Sequence, residues 1–236
     1  MIQAVVFDAY GTLFDVYSIA ALADTWYPGQ GQAIAALWRD KQIEYTRLIT
    51  LSDPDSPGGS RYYQSFWELT GASLRYTLER LHLPPHEAAI HALMGQYAKL
   101  DCFAENRGVL QQLQARGMAT AILSNGSTEM LASAVTSAGL DGLIGPVLSV
   151  DPIRRFKTAP QSYALVLEAF AVPAQDVLFV SSNAWDALGA TWFGFQTLWV
   201  NRQGLPFEAI GPRPSHVGRD LTRVLDILGP VTAPAA

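Results

Sequence analysis

The amino-acid sequence predicts an α/β fold: a Rossmann-like parallel sheet core with an inserted helical cap domain. Apolar, β-rich runs recur at Ile2 to Phe7, Ala119 to Leu123, Pro146 to Val150, Val177 to Ser181 and Thr197 to Val200. After the first pair, successive runs are separated by about one helix of chain, the spacing of right-handed βαβ units. Between the first two runs lies a stretch long enough to hold a domain, and its patterning is helical.

The first run ends in Val5-Val6-Phe7 and delivers Asp8 directly into Ala9-Tyr10-Gly11-Thr12-Leu13. A carboxylate at the carboxyl end of a buried strand, followed at once by a Gly turn, lies where open α/β sheets keep their ligands. In the insertion, Ile34, Leu37, Trp38, Tyr45 and Leu48 recur at helical spacing, and further helical patterns run from Tyr62 to Leu81 and from Pro85 to Leu100. Asp53-Pro54-Asp55-Ser56-Pro57-Gly58-Gly59 breaks the second cap helix from the third, and Pro84-Pro85 starts the fourth. Residues 15–98 are therefore expected to form the cap, 1–14 and 99–228 the core, and the Pro/Ala-rich 229–236 a frayed tail. A cleft between cap and core is a natural small-molecule site.

Bulk properties exclude several classes. Hydrophobic residues at 49% and charged residues at 16% of 236 describe a chain able to bury a sizeable core. The net charge of −5 offers no basic surface to nucleic acid, and no Lys/Arg cluster exceeds Arg154-Arg155. No apolar run approaches the roughly 20 residues that span a bilayer, and no basic n-region opens the chain, so a cytoplasmic protein is expected. Cys102 is the single cysteine, which precludes an intrachain disulfide and a Cys-based metal cluster.

Four segments end predicted strands with polar side chains: Asp8 with Thr12; Ser124-Asn125-Gly126; Lys157; and Ser181-Ser182-Asn183-Ala184-Trp185-Asp186. In a parallel sheet all strand carboxyl ends share one edge, so these groups converge although distant in sequence. Each has an ordinary structural explanation as well. Asp8 suits a turn carboxylate or a nucleophile. Ser124-Asn125-Gly126 suits a strand-to-helix turn, with Ser127 or Thr128 capping the next helix, or an anion site at a helix N-terminus. Lys157 is one of three lysines against thirteen arginines, a weak sign that a compact point charge is wanted there. Asp186 suits a first-turn residue favouring the helix dipole. Arg39 reads, on periodicity alone, as a surface partner of Asp40 or Glu44, with descent over the cleft as the alternative. The histidines, His82, His86, His91 and His216, fall in helical or loop regions away from these segments, so a Ser-His-Asp reading fails. Phe66, Trp67 and Trp192 read first as core, with Phe66 also a candidate pocket wall.

Together these segments resemble the haloacid dehalogenase superfamily and, within it, the (S)-2-haloacid dehalogenases, from Val5 to about Arg202. The carriers are Phe7-Asp8-Ala9-Tyr10-Gly11-Thr12-Leu13, Leu37-Trp38-Arg39 with Lys41-Gln42-Ile43-Glu44-Tyr45, Leu123-Ser124-Asn125-Gly126, Phe156-Lys157, and Phe179-Val180-Ser181-Ser182-Asn183-Ala184-Trp185-Asp186. Phosphatases of the superfamily place an aspartate two residues after the nucleophile and an acidic pair in the last motif to hold Mg²⁺. Here Tyr10 and Ser182 stand at two of those positions, which implies chemistry without metal or other cofactor.

The resemblance further implies that Asp8 attacks C2 of a 2-haloalkanoate to form an ester with inversion. Arg39 and Asn125 would receive the halide, and Ser124 with backbone amides the substrate carboxylate. Lys157 would fix Asp8, with Thr12, Tyr163, Ser181 and Asn183 completing the polar shell. Asp186 would direct the hydrolytic water, and Tyr10, Phe66 and Trp185 would wall the pocket. Many members dimerise through the cap. Thr158 and Leu188 depart from residues common in the family, Pro and Thr, without removing a reacting group.

Overall fold

A computed structural model describes residues 1–230. Six parallel strands form one sheet in the order β3-β2-β1-β4-β5-β6: β1 (Ala4–Phe7), β2 (Ala119–Ser124), β3 (Val147–Ser149), β4 (Val177–Ser181), β5 (Gln196–Val200) and β6 (His216–Gly218). Every residue of β1 and β4 is buried, which is why these strands read as continuous apolar runs. Phe7 registers with Ile122 on β2 and with Val180 on β4, and the Asp8 amide donates to the Val180 carbonyl at 2.9 Å. Strand order reverses at β1, so the ends of β1 and β4 flank the crevice where such sheets bind ligands.

Four helices lie between β1 and β2 in sequence ahead of α5 (Asn106–Ala115): α1 (Ile19–Trp26), α2 (Gly31–Leu51), α3 (Phe66–Arg80) and α4 (Glu87–Tyr97). The remaining helices are α6 (Thr128–Ser137), α7 (Pro160–Phe170), α8 (Ala184–Phe193) and α9 (Arg223–Leu228). Ser127 caps α6 through the Met130 amide, as the sequence suggested. Among the described residues, no helix is long and apolar enough to cross a membrane.

Several local expectations change. The third cap helix begins at Phe66 and not at Tyr62, because Ser65 and Glu68 form a reciprocal capping box that fixes the start there. On α2 the buried stripe runs Ile34, Trp38, Gln42, Thr46 with Ala35 and Arg39, while Leu48 is 55% exposed. The helical period is right, but polar residues continue the inner face. Trp192 is 56% exposed, its ring lying against Gly211, and Trp67 is also exposed on the outer face of α3. His216 sits on the edge strand β6, while His82, His86 and His91 are exposed as expected. Within the expected frayed tail, the Gly229 carbonyl accepts from Arg116 Nη1 at 2.9 Å, and 231–236 lie outside the described residues.

The insertion is held on itself and on the core by one continuous apolar cluster. Trp38, 1% exposed, packs on Tyr97 with ring centroids 5.2 Å apart and donates its indole N–H to the Thr70 carbonyl at 2.8 Å. Trp38→Ala is predicted to cost about 3–5 kcal/mol, read as a lower urea midpoint with an unchanged denaturant slope.

Candidate active site

β1 ends at Asp8, and the chain reverses through Gly11, whose φ of +94° is a conformation that L side chains rarely adopt. A Cβ there would meet the Asn183 side chain only at ordinary contact distance, 3.5 Å, so the backbone conformation and not the space calls for glycine. This turn folds Thr12 back so that its hydroxyl donates to Asp8 Oδ2 at 2.9 Å, and the same oxygen accepts from Asn183 Nδ2 at 2.8 Å. Among the described residues, Asp8 Oδ1 accepts only from Lys157 Nζ, at 3.0 Å. Oδ2 thus carries two hydrogen bonds and Oδ1 one.

Lys157 Nζ also donates to Asp186 Oδ2 at 2.9 Å, and Tyr163 Oη donates to Asp186 Oδ1 at 2.8 Å. Asp186 occupies the first turn of α8 and is fully buried, so the dipole explanation accounts for only part of its placement. Burial raises the pKa of Asp186 to about 6, and the Asp8 charge adds to the rise; Lys157 and the Tyr163 hydroxyl oppose it. Burial disfavours the Lys157 charge, yet the two carboxylates outweigh it and raise its pKa. Tyr163 is likewise raised, by burial first and then by Asp186, so it stays a neutral donor.

Arg39 is the largest departure from the surface reading. It is buried: Nη1 donates to Gln42 Oε1 at 2.7 Å, and Nη2 to the Tyr10 carbonyl and Asn183 Oδ1, each at 3.1 Å. Glu44 pairs instead with Lys41 at 2.6 Å. Arg39 therefore comes down from α2 onto the turn that carries Asp8. Gln42, which the sequence reading passed over, also accepts from Tyr97 Oη at 3.1 Å and donates to Thr70 Oγ1 at 2.6 Å, fixing the guanidinium from behind. Its i,i+3 spacing from Arg39 on one helix face was the available signal.

Asn125 Oδ1 accepts the Lys157 amide at 2.9 Å, which orients the Asn125 NH₂ as the free donor end. Ser124 Oγ accepts from the Gly126 amide, and Ser181 Oγ from the Asn183 amide at 3.1 Å, so both shape loops at strand ends and neither contacts Asp8. Thr12 Oγ1 accepts the Ser182 amide at 2.8 Å, joining the β1 and β4 loops. Tyr10 is 2% exposed and packs on Phe66 and Tyr97. Phe66 is fully buried and backs Tyr10 and Phe156, while Trp185 lines the open cleft directly. That cleft, about 760 Å³, runs between α2 and the β4 and β5 loops and includes Gly11, Arg39, Asn183, Trp185 and Arg202.

The residue set does not fit a divalent cation. Asp8 and Asp186 each spend an oxygen on the same ammonium group, and among the described residues no three His, Cys, Asp or Glu side chains are placed to share an ion. What the arrangement can do is fix one carboxylate on a buried ammonium group, near a buried guanidinium that reaches in from α2 to the same turn.

The chain is similar to several known proteins. Residues 2–194 match the model of the haloacid dehalogenase-like hydrolases. Haloacetate dehalogenase H-2 of Moraxella sp. (strain B) is 42% identical over 90% of this chain and 92% of its own. (S)-2-haloacid dehalogenase H-109 of Pseudomonas putida is 39% identical over 96% and 98%. Among solved structures, the L-2-haloacid dehalogenase RSc1362 superposes with a TM-score of 0.92 at 52% identity, covering 96% of this chain and 98% of that one. The L-2-haloacid dehalogenase of Xanthobacter autotrophicus with chloropropionic acid covalently bound superposes at 0.86 with 37% identity, covering 97% and 98%. The chain belongs to the haloacid dehalogenase-like hydrolases and, within them, to the (S)-2-haloacid dehalogenases.

Proposed function

We propose that this enzyme converts (S)-2-haloalkanoates to (R)-2-hydroxyacids through an ester on Asp8, with inversion at C2. The observation that carries the reading is the bridge of Lys157 Nζ between Asp8 Oδ1 and Asp186 Oδ2, at 3.0 and 2.9 Å. It fixes Asp8 against a buried cation and leaves Oδ1, which accepts a single hydrogen bond among the described residues, with a lone pair to donate.

In the first step Asp8 Oδ1 forms a bond to C2 while the C2–halogen bond breaks, and the halide leaves with the electron pair. Arg39 and the NH₂ of Asn125 receive that anion; Ser124 and neighbouring backbone amides hold the substrate carboxylate. Fixing nucleophile and leaving-group receptor on opposite sides of one cleft is the positional contribution to the rate. Ester formation removes the Asp8 charge, one of the influences that raise Asp186. Asp186 becomes a readier base at the stage that needs one. Water then attacks the Asp8 carboxyl carbon and its proton passes to Asp186; the Cγ–Oδ1 bond breaks, Asp186 returns that proton to the departing oxygen, and the hydroxyacid leaves with Oδ1 while the water oxygen stays in Asp8, whose carboxyl proton goes to solvent. Tyr10, Phe66 and Trp185 keep the surroundings apolar, and Thr12, Ser181 and Asn183 hold the strand-end loops.

Incubation with (S)- and (R)-2-chloropropionate in EDTA is expected to release chloride from the (S) form alone. Release that requires Mg²⁺, or none from the (S) form, contradicts the reading. Asp8→Asn is predicted to abolish release while leaving the native circular dichroism spectrum intact, at a cost of up to about 3–5 kcal/mol in unfolding free energy because it takes one carboxylate from the buried Lys157.

The pH dependence follows from Asp186. It must be ionised to accept a proton, so kcat rises with pH, and loss of the Asp8 charge in the ester puts the acidic midpoint below about 6. Tyr163 donates to the ionised form, so Tyr163→Phe raises the Asp186 pKa and is predicted to move that midpoint to higher pH. A pH–kcat series on both proteins checks the direction.

A further inference from the structure

The backbone that carries Lys157 is held from the cap as much as from the core. Arg155, 8% exposed, extends its guanidinium into the loop between α2 and α3: Nη1 donates to the Pro54 carbonyl at 2.7 Å and Nη2 to the Ser56 carbonyl. One residue on, the Phe156 amide donates to Thr50 Oγ1 at 3.0 Å, at the end of α2. One residue back, the Arg154 carbonyl accepts the Ser60 amide at 3.3 Å. Gly59 makes the close approach feasible, because a Cβ there would collide with the Ile153 carbonyl and with Arg154. Tyr63 stacks on Phe156 at 5.2 Å and donates to Asp151. From the core side the same segment is fixed by Ser162 Oγ on the Arg155 carbonyl, at 2.8 Å, and by Asn125 on the Lys157 amide.

We propose that Arg155 is a positioning residue for Lys157. Its clamp on the 54–56 loop, together with the Thr50 hydrogen bond, makes the placement of the ammonium group depend on the seating of the cap. The guanidinium suits the task because its fixed fork spans two carbonyls at once, where an ammonium group acts as a single point charge. Neutral amide side chains at this position can reach one carbonyl but cannot reproduce the charged fork. A Lys157 Nζ that drifts from its two carboxylates both weakens its hold on Asp8 and relaxes its influence on Asp186. The proposal rests on the dehalogenation reading for its kinetic consequence, while the clamp itself is a statement about the backbone.

The groups facing Asp186 are Lys157 from this segment, Tyr163 from α7 and Asp8 from the end of β1. Of these only Lys157 depends on the clamp. Loosening Lys157 removes an influence that favours the ionised carboxylate, so the acidic midpoint of kcat must move to higher pH.

The test compares wild type, Arg155→Gln, Arg155→Lys and Thr50→Val with (S)-2-chloropropionate, measuring kcat, KM and the pH profile. Arg155→Gln is expected to lower kcat roughly tenfold, on the scale of small misplacements of a reacting group, with KM changed less than about twofold. Its acidic midpoint should rise, Arg155→Lys should recover part of both effects, and Thr50→Val should move both in the same direction. Unchanged kcat and midpoint in Arg155→Gln and Thr50→Val overturn the proposal, as does a fall in kcat with an unmoved midpoint. If wild type itself releases no chloride, the dehalogenation reading fails and the clamp is judged by amide hydrogen exchange. Faster exchange across residues 154–157 in Arg155→Gln supports it, and unchanged exchange there overturns it.

Discussion

A lysine ammonium group buried to 1% exposure cannot remain charged without compensation, because moving such an ion out of water costs several kcal/mol even after relaxation. Lys157 meets that constraint with two carboxylates, and the rest of the site is arranged around it. Asp8 arrives at the end of β1, Asp186 in the first turn after β4, and Lys157 on a segment between β3 and α7. Only a parallel sheet with its order reversing at β1 brings these three together on one edge. The pKa of Asp186 is raised by burial first and by the Asp8 charge after it. Charging this base while Asp8 is also charged is unfavourable. In the proposed reaction, esterification of Asp8 relieves the conflict in the order that a two-step hydrolysis needs.

The helices between β1 and β2 bring in the other side of the site. Arg39 descends from a helix face on which Gln42 and Thr46 continue the buried stripe begun by Ile34 and Trp38, and it ends on the Tyr10 carbonyl and Asn183. A charged group in that position is held by hydrogen bonds to neutral acceptors, and in the proposed reaction its charge is left for the departing halide. Tyr10 and Ser182 remove the carboxylates that a metal-dependent phosphoryl-transfer site would need, and both remaining carboxylates are committed to Lys157. The same strand end thereby favours displacement at carbon.

The buried strands were legible to within a residue or two, because strands covered on both faces appear as unbroken apolar runs. The convergence of Asp8, Lys157, Asn183 and Asp186 was legible for a topological reason: parallel strands share one carboxyl edge. The position of Arg39 was not, since a buried face made of Gln42, Thr46 and Arg39 is indistinguishable by hydropathy from a solvated one. The exposed edge strand β6 carries only three residues, with Val217 turned to solvent, too little pattern to detect. The start of α3 depended on a capping box at Ser65 and Glu68 that lay inside a longer helical pattern. The Arg155 clamp was hidden because its acceptors are backbone carbonyls, to which side-chain identity is blind.

In the proposed mechanism Asp8 itself forms the bond to C2 and is restored by water attacking its carboxyl carbon. Isotope placement in a single turnover tests it most directly. With enzyme in excess over (S)-2-chloropropionate in H₂¹⁸O, mass spectrometry should find unlabelled hydroxyacid and one ¹⁸O in the peptide containing Asp8. Labelled hydroxyacid in that first turnover, with Asp8 unlabelled, would mean that water attacks C2 directly and would contradict the account.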